Sequence, residues 1–256
     1  MSGDPPGGLH VEELGSGPRV VFLHGDVETA STGWRRQLPL AERWRLVLPD
    51  RPGCGASAPG RVDFAADARR LVPLLDGGAH LVGHSYGGVI ALEMATLAPG
   101  QVRSLTVIEP PAFGLSSSPA AADLRAKFEA VFASDVDDAA FFREFAELLG
   151  ERPWPRPTLP APMLAGVKAL RAERPPWEAD PDLETIRAAG IPTLVVSSGG
   201  RPALEAVCDA IAARTTGRRA VFRGARHGVA GSADGFNPVV EEFWREAGAA
   251  RRADPA

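Results

Sequence analysis

Short apolar runs rich in β-branched residues alternate with helical patterns along most of this 256-residue chain. Turn residues bound each run, as they bound strands buried in a parallel sheet. The predicted strands are Arg19–Leu23, Arg45–Leu48, His80–Val82, Ser104–Ile108, Thr193–Val196 and Ala220–Phe222, with Leu9–Leu14 at an edge. The predicted helices of the same alternation are Phe64–Leu75, Val89–Leu97, Ala203–Ala213 and Val239–Ala247. This order predicts a three-layer α/β fold around a mostly parallel sheet.

One long segment, from about Phe113 to Arg187, has no strand pattern. Its helical patterns are Ala120–Ala133, Asp138–Leu149 and Met163–Ala172, with a proline-rich stretch, Arg152–Pro162, before the last of them. Such a segment is too long for a loop. We therefore predict a core domain of residues 1–112 and 188–256, and a helical cap of residues 113–187 inserted between strands 6 and 7. The cap is expected over the carboxyl ends of the strands, where α/β sheets bind ligands; helices packed elsewhere on the core are the alternative.

A strand, a sharp turn and a helix meet at Gly83-His84-Ser85-Tyr86-Gly87. The pattern G-x-S-x-G between an apolar strand and an apolar helix is that of a nucleophile elbow. Because glycine lacks a Cβ atom, Gly83 and Gly87 allow the strand and the helix to approach each other. The N-terminus of the helix adds partial positive charge near an oxyanion. The pattern predicts Ser85 as a nucleophile, and a plain turn serine is the alternative.

A second strand, Val20–Leu23, runs into His24-Gly25. A backbone N–H that follows such a strand can point at the serine, so the amides of Asp26 and Tyr86 are the predicted oxyanion hole. A carboxylate is unfavourable beside a developing oxyanion. The Asp26 side chain is therefore expected to point away, or to have a separate role such as binding substrate or holding a loop.

These motifs together resemble the α/β-hydrolase fold family, and in particular its small actinobacterial-type members with a helical cap. The matching segments, in the order of the family, are His24-Gly25, Asp50–Ser57, Gly83–Gly87, Val102–Pro110 and Gly224–Gly228. The resemblance runs from near residue 9 to near residue 247. It implies that His227, in a glycine-rich loop before the last helix, is the general base; a surface loop histidine is the alternative.

The acid departs from the family pattern. The family's usual aspartate follows the strand at Thr193–Ser198, and Arg201 stands at that position. Some members carry the acid at the end of the preceding strand, where this chain has Glu109, and the order Ser85, Glu109, His227 is then kept. A carboxylate directly after a buried strand is costly unless it is paired, so Glu109 is the predicted acid. The alternatives are a Glu109 that caps a loop or pairs with an arginine, and an acid supplied by Glu205 or Asp209.

Several function classes are excluded by what the sequence lacks. The formal net charge of −4 disfavours nucleic acid as a partner. The sequence contains no run of eighteen apolar residues, so no membrane span is predicted. The first ten residues do not have the character of a signal peptide. Cys54 and Cys208 lie far apart and match no metal spacing, as expected of free thiols in the cytoplasm. No nucleotide-binding motif or metal constellation is present, so we expect no cofactor. The expected partner is a small-molecule substrate, and the oligomeric state stays open.

These features predict an enzyme. Three hypotheses for the function follow in order of preference, and the third of them is not enzymatic. The first is a serine hydrolase that cleaves an ester, lactone or thioester of a small apolar metabolite through an acyl-enzyme. The departure at Arg201 keeps open a non-hydrolytic enzyme on the same scaffold, such as a cyclase, lyase or acyl transferase of specialised metabolism. The third is a binding or receptor role, against which the intact elbow and His227 argue.

Overall fold

Seven strands form a single sheet in the computed structural model, which describes residues 8–152 and 154–253. The strands are β1 (Val11–Leu14), β2 (Arg19–Leu23), β3 (Arg45–Pro49), β4 (Ala79–His84), β5 (Val102–Ile108), β6 (Thr193–Ser197) and β7 (Arg218–Val221). Their spatial order is β1-β3-β2-β4-β5-β6-β7. β1 pairs antiparallel with β3, and the other neighbours pair in parallel. The predicted α/β fold with a mostly parallel sheet is confirmed.

Helices connect these strands in the described ranges. The α-helices are α1 (Ala30–Gly33), α2 (Phe64–Leu71), α3 (Tyr86–Leu97), α4 (Pro119–Phe132), α5 (Asp138–Leu149), α6 (Ala161–Ala172), α7 (Leu183–Ala188), α8 (Pro202–Thr215), α9 (Val229–Ser232) and α10 (Phe236–Ala253). The 3₁₀ helices are Arg35–Glu42, Val72–Leu75, Pro99–Gln101, Phe113–Leu115 and Pro176–Glu178. The predicted helix Phe64–Leu75 ends its α-helical part at Leu71, because Pro73 cannot donate the amide hydrogen bond that a continuing α-helix needs.

The central strands bury both of their faces. Side chains alternate between the two faces of a strand, and in β2 Val21 and Leu23 pack in the apolar cluster that contains α2, α3 and α8. The intervening residues Val20 and Phe22 pack in a second cluster, which contains α10. All four side chains are fully buried. Helices therefore cover both faces of the sheet, as a three-layer fold requires.

Three neighbouring strands bring their carboxyl ends to the same edge of the sheet. His84, the last residue of β4, lies opposite Ile108 of β5, and Ile108 lies opposite Val196 of β6. The residues that directly follow two of these strands, Ser85 and Glu109, are therefore neighbours in space although they are distant in sequence.

The helical insertion (residues 113–187) contains α4, α5 and α6 and joins β5 to β6. It lies between the fifth and sixth strands, so the predicted place between strands 6 and 7 is wrong in its count. The prediction counted strands by the numbering of the family, in which the strand before the insertion is the sixth. Among the described residues that strand is β5, because β1 alone precedes β2. In the same ranges, no helix has both the length and the apolar character that crossing a membrane requires. Residues 1–7, which bear on the signal-peptide prediction, lie outside the described residues.

Candidate active site

Ser85 sits in a tight turn between β4 and α3. Its backbone has φ 52° and ψ −123°, a conformation that non-glycine residues rarely adopt. Its amide donates to the Ile108 carbonyl of the neighbouring strand at 2.9 Å, which holds the turn against the sheet. A Cβ atom on Gly83 would lie 2.3 Å from the Gly87 carbonyl oxygen, and one on Gly87 would lie 2.3 Å from that of Leu23. The two glycines are therefore required by the close approach of strand and helix.

The side chains of Ser85, His227 and Glu109 form one hydrogen-bonded chain. Nε2 of His227 lies 2.9 Å from Oγ of Ser85, and Nδ1 of His227 lies 2.7 Å from Oε2 of Glu109. Both distances are within the range expected of an acid–base relay. All three side chains are buried. The structure thus brings together the three residues that the sequence singles out as nucleophile, base and acid.

The Glu109 carboxylate also has hydrogen-bond partners on the side away from His227. Its Oε1 accepts hydrogen bonds from the amide and the hydroxyl of Ser198, both at 2.6 Å. Burial alone raises the pKa of Glu109, but the hydrogen bond and charge of His227, together with the bonds from Ser198, outweigh it and lower the pKa. The residue is fully buried, so these partners are what keep the charge in place.

The other candidate acids are engaged elsewhere. Oε2 of Glu205 lies 2.6 Å from an Arg219 nitrogen and accepts from the Ser197 hydroxyl at 2.8 Å. Oδ1 of Asp209 accepts from Nε of Arg219 at 2.9 Å. Because both nitrogens of the His227 ring are occupied by Ser85 and Glu109, these two carboxylates have no place in the hydrogen-bonded chain.

Arg201 stands where the family usually has its acid, and its side chain turns to the helical insertion. Its guanidinium donates to the carbonyl of Glu147 in the last turn of α5, where a cation stabilises the helix end. Gly150 ends the helix in the left-handed conformation (φ 77°), and a Cβ atom there would lie 2.8 Å from Nε of Arg201. The arginine that stands in place of the usual acid thus connects α5 to the core.

The loop that carries His227 has two attachments that the sequence analysis did not identify. The Gly228 amide donates to Oε1 of Glu151, just after α5, at 3.0 Å. Nε2 of His84 donates to the His227 carbonyl at 3.1 Å. The position of the His227 ring therefore depends on both the helical insertion and the elbow. No local pattern marks Glu151, because its partner lies 77 residues further along the chain.

A second histidine–carboxylate pair lies beside this chain. Nδ1 of His84 is 3.5 Å from Oε2 of Glu28, and the His84 and His227 rings are 4.9 Å apart between centroids. Burial lowers the pKa of His84, but the hydrogen bond and charge of Glu28 raise it above its ordinary value. Burial opposes ionisation of Glu28, yet His84 lowers the pKa of that carboxyl to about 2. The pair therefore places a histidine and a carboxylate, each of which stabilises the charged form of the other, in the wall of the site.

The Asp26 carboxylate is paired with a buried arginine. Oδ1 of Asp26 accepts from Nη2 of Arg51 at 2.8 Å, and both side chains are almost fully buried. Burial raises the pKa of Glu173 well above its usual range, and the Asp26 charge adds to that shift against the opposing charge of Arg51. These contacts hold the loop after β2, which is one of the roles that the sequence left open for Asp26.

The Asp26 and Tyr86 amides were predicted to form an oxyanion hole. In the part of the chain that the structure describes, neither amide donates to a protein acceptor. The Tyr86 ring is buried, with its hydroxyl donating to the Arg174 carbonyl at 3.1 Å. The Arg51 guanidinium lies 4.7 Å from the ring centroid. The Asp26 carboxylate is thus engaged by Arg51 and the Tyr86 side chain by Arg174 and Arg51, whereas the two amides can still bind another acceptor.

Asp67 of α2 is a buried carboxyl near Arg51, and its effect on the pH dependence of stability can be tested. Its Oδ2 has no hydrogen-bond partner among the described residues, and burial raises its pKa to about 7 although Arg51 opposes the shift. Such a carboxyl binds a proton on folding, so its stabilising contribution is present at low pH and is lost as the pH rises through 7. Between pH 6 and pH 8 we expect the unfolding free energy to fall by about 1.4 kcal/mol more in the wild type than in Asp67→Asn. Urea unfolding at both pH values measures the difference, and equal changes in the two proteins would contradict it.

A cavity of about 430 Å³ opens at Ser85 and His227, a size typical of sites for small molecules. Apolar side chains of the helical insertion form much of its wall: Phe142, Phe145, Leu149, Trp154 and Met163. Its polar lining includes Asp26, Glu28 and Glu151. No group of three or more His, Cys, Asp or Glu residues within the described ranges is arranged to hold a metal ion.

Comparison with known proteins places this architecture among the hydrolases. The sequence model of the alpha/beta hydrolase family matches residues 20–239. A pimeloyl-[acyl-carrier protein] methyl ester esterase of Methylococcus capsulatus is 35% identical over 179 residues, which cover 67% of this chain and 66%, just under two thirds, of that relative. The protein of the same name from Chromobacterium violaceum is 34% identical over 242 residues, 92% of this chain and 84% of that one. The crystal structure of NosK from Streptomyces actuosus matches at a TM-score of 0.63 and 26% identity, covering 90% of this chain and 99% of NosK.

Proposed function

The chain belongs to the alpha/beta hydrolase family, and we propose that it is a serine hydrolase that cleaves an ester, lactone or thioester of a small apolar metabolite through an acyl-enzyme. One observation carries the proposal: the hydrogen-bonded chain Ser85–His227–Glu109 opens onto a cavity of metabolite size. The esterase names of two relatives support ester cleavage as the reaction class.

The reaction begins with proton transfer along that chain. Oγ of Ser85 attacks the carbonyl carbon of the substrate while Nε2 of His227 takes the serine proton. The Glu109 carboxylate accepts the hydrogen bond from Nδ1, holds the ring in the required tautomer and stabilises the imidazolium that forms. The pKa of Glu109, lowered by these same contacts, keeps it ionised for this role.

The tetrahedral intermediate places a negative charge on the former carbonyl oxygen. The amides of Asp26 and Tyr86 bind that oxyanion, and the N-terminus of α3 adds partial positive charge. His227 then donates its proton to the leaving alcohol or thiol, whose bond to the acyl carbon breaks. A water molecule then attacks the acyl carbon while His227 takes one of its protons. The bond between that carbon and Oγ of Ser85 breaks, His227 returns the proton to Oγ, and the acid is released.

The helical insertion contributes much of the wall of the cavity at the nucleophile. We assign residues 113–187 as a cap domain over a core of residues 1–112 and 188–256. Apolar side chains from α5 and α6 line the cavity above Ser85. They favour an apolar substrate.

The non-hydrolytic alternative rested on the missing acid at Arg201. Because His227 has a carboxylate partner in Glu109, that departure gives no reason to prefer cyclisation or transfer over hydrolysis. We therefore propose hydrolysis alone, in which water is the final acceptor of the acyl group.

Labelling with a fluorophosphonate tests the proposal. We expect one adduct per folded chain, located at Ser85 by peptide mapping, because the relay through His227 makes this hydroxyl nucleophilic. Protein unfolded in urea should not react, since the relay requires the fold. The variant Ser57→Ala, which removes a buried serine of another loop, should be labelled like the wild type. A folded protein that resists the reagent, or an adduct at a different serine, would overturn the proposal.

A further inference from the structure

The geometry points to a substrate in which a short acyl group, of about the size of acetyl, is carried on a bulky apolar alcohol. This inference rests on the proposed function, because it assigns the two sides of Ser85 to the two halves of an ester. It follows from the unequal size of two cavities that meet at the serine.

The two cavities share Ser85, Asp26, Phe145 and Leu149 but differ in volume and in the rest of their walls. The wide cavity has a volume of about 430 Å³ and is lined by His227. On another side of Ser85 lies a slot of about 10 Å³, whose lining does not include His227 and does include Phe132 and Trp177. A volume of that size admits about one water-sized group. The slot therefore accepts a methyl group and excludes a chain.

The position of His227 decides which half of the ester enters which cavity. The imidazole must donate its proton to the oxygen of the leaving alcohol, so that oxygen lies on the His227 side of the reacting carbon. The alcohol then extends into the wide cavity. The remaining substituent of the carbonyl carbon, the acyl chain, is directed to the slot beyond Ser85.

Four aromatic rings, those of Phe128, Phe132, Phe145 and Trp177, form much of the wall of the slot, and its lining also includes Asp26 and Glu173. Phe132 packs edge-on against Trp177, with their centroids 5.4 Å apart. Phe128 lies 5.5 Å from Phe145 and 5.9 Å from Trp177, and these three rings are buried. Because a close-packed cluster yields little to an added methylene, the slot cannot lengthen without displacing several rings together. We therefore expect discrimination by acyl length.

Two isomeric esters separate the two orientations. Heptyl acetate and methyl octanoate have the same formula and the same apolar content, but they place the long chain on opposite sides of the carbonyl. Since one excluded methylene can cost 10–200-fold in kcat/KM, we expect heptyl acetate to be hydrolysed at least about 100-fold more efficiently than methyl octanoate. Gas chromatography of the alcohols released measures both rates on the wild-type enzyme.

A pair of matched variants tests the walls themselves. Phe132 and Phe142 are both half-buried on helices of the insertion, but Phe132 lines the slot and Phe142 lines the wide cavity. We expect Phe132→Ala to raise the relative efficiency for methyl octanoate by about 10-fold or more. Phe142→Ala should leave the preference for the acetate unchanged in direction. If Phe132→Ala does not fold, the wild-type comparison still decides.

The outcomes distinguish this inference from the proposed function. Preference of the wild type for methyl octanoate, or equal rates for the two isomers, would overturn the assignment of the slot while leaving a serine hydrolase intact. Failure to hydrolyse either isomer and every other ester offered would instead contradict the proposed function.

Discussion

Replacing Ser85 by alanine is expected to lower kcat for ester hydrolysis by about 10⁵- to 10⁶-fold, the scale found when the nucleophile of a serine hydrolase is removed. The substitution deletes the attacking oxygen and leaves His227 and Glu109 in contact. The residual rate comes from the oxyanion-binding amides and from substrate positioning, which do not need the hydroxyl. Initial rates measured against heptyl acetate at saturating concentration give the loss in kcat.

Two controls make this result specific. Ser57→Ala removes a buried hydroxyl that bonds the Asp50 carbonyl, away from the cavity, and should keep wild-type kcat. Thermal unfolding should show that Ser85→Ala is folded, because alanine adopts the same backbone conformation and loses only the hydrogen bond to His227. A folded Ser85→Ala enzyme that retains more than about a hundredth of the activity would point to chemistry in which His227 acts without an acyl-enzyme.

Replacing Glu109 by glutamine is expected to lower kcat by about 10⁴-fold, the effect of disabling the acid in the serine-protease template. The amide has nearly the same shape, but it carries no charge to stabilise the imidazolium, and it can present an N–H to Nδ1 and so favour the wrong tautomer. The matched control is Glu205→Gln, which changes a carboxylate near the end of β6 that pairs with Arg219. That variant should keep kcat within a few-fold of the wild type. Equal losses in the two variants would contradict the assignment of Glu109.

Glu109→Gln and the wild type should also differ in how their free energy of unfolding depends on pH. The pKa of Glu109 is lowered in the folded state, so its contribution is present above the ordinary pKa of a glutamate and is lost as the pH falls through the folded-state value. Glu109→Gln should therefore lose less of its unfolding free energy on acidification than the wild type does. Urea unfolding at pH 7 and pH 4 measures the two slopes.

Much of the fold was predictable because its signals are local. β2 has the predicted bounds, and the other strands differ from prediction by a few residues at their ends. A buried parallel strand is an uninterrupted apolar run, and the run is visible without knowledge of its neighbours. The strands predicted from the residues already place five before the helical insertion, as the structure does. The count of six came from the numbering of the family rather than from the residues.

The pairing of His227 with Glu109 was also predictable, because a carboxylate after a buried strand must find a partner and parallel strands end at one edge. The supporting contacts were not. Glu28 and Glu151 are ordinary loop acids in sequence, and their roles beside His84 and Gly228 depend on segments that are brought together only by folding. The slot beside Ser85 likewise arises from rings on separate helices.

The attachment of Glu151 to the His227 loop links the wall of the cavity to the general base. Helix α5 lines the cavity above Ser85, its last turn is bonded to Arg201 of the core, and Glu151, just after the helix, is bonded to the amide next to His227. A substitution that displaces this end of α5 is therefore expected to shift the general base as well as the cavity wall, so that kcat and KM change together.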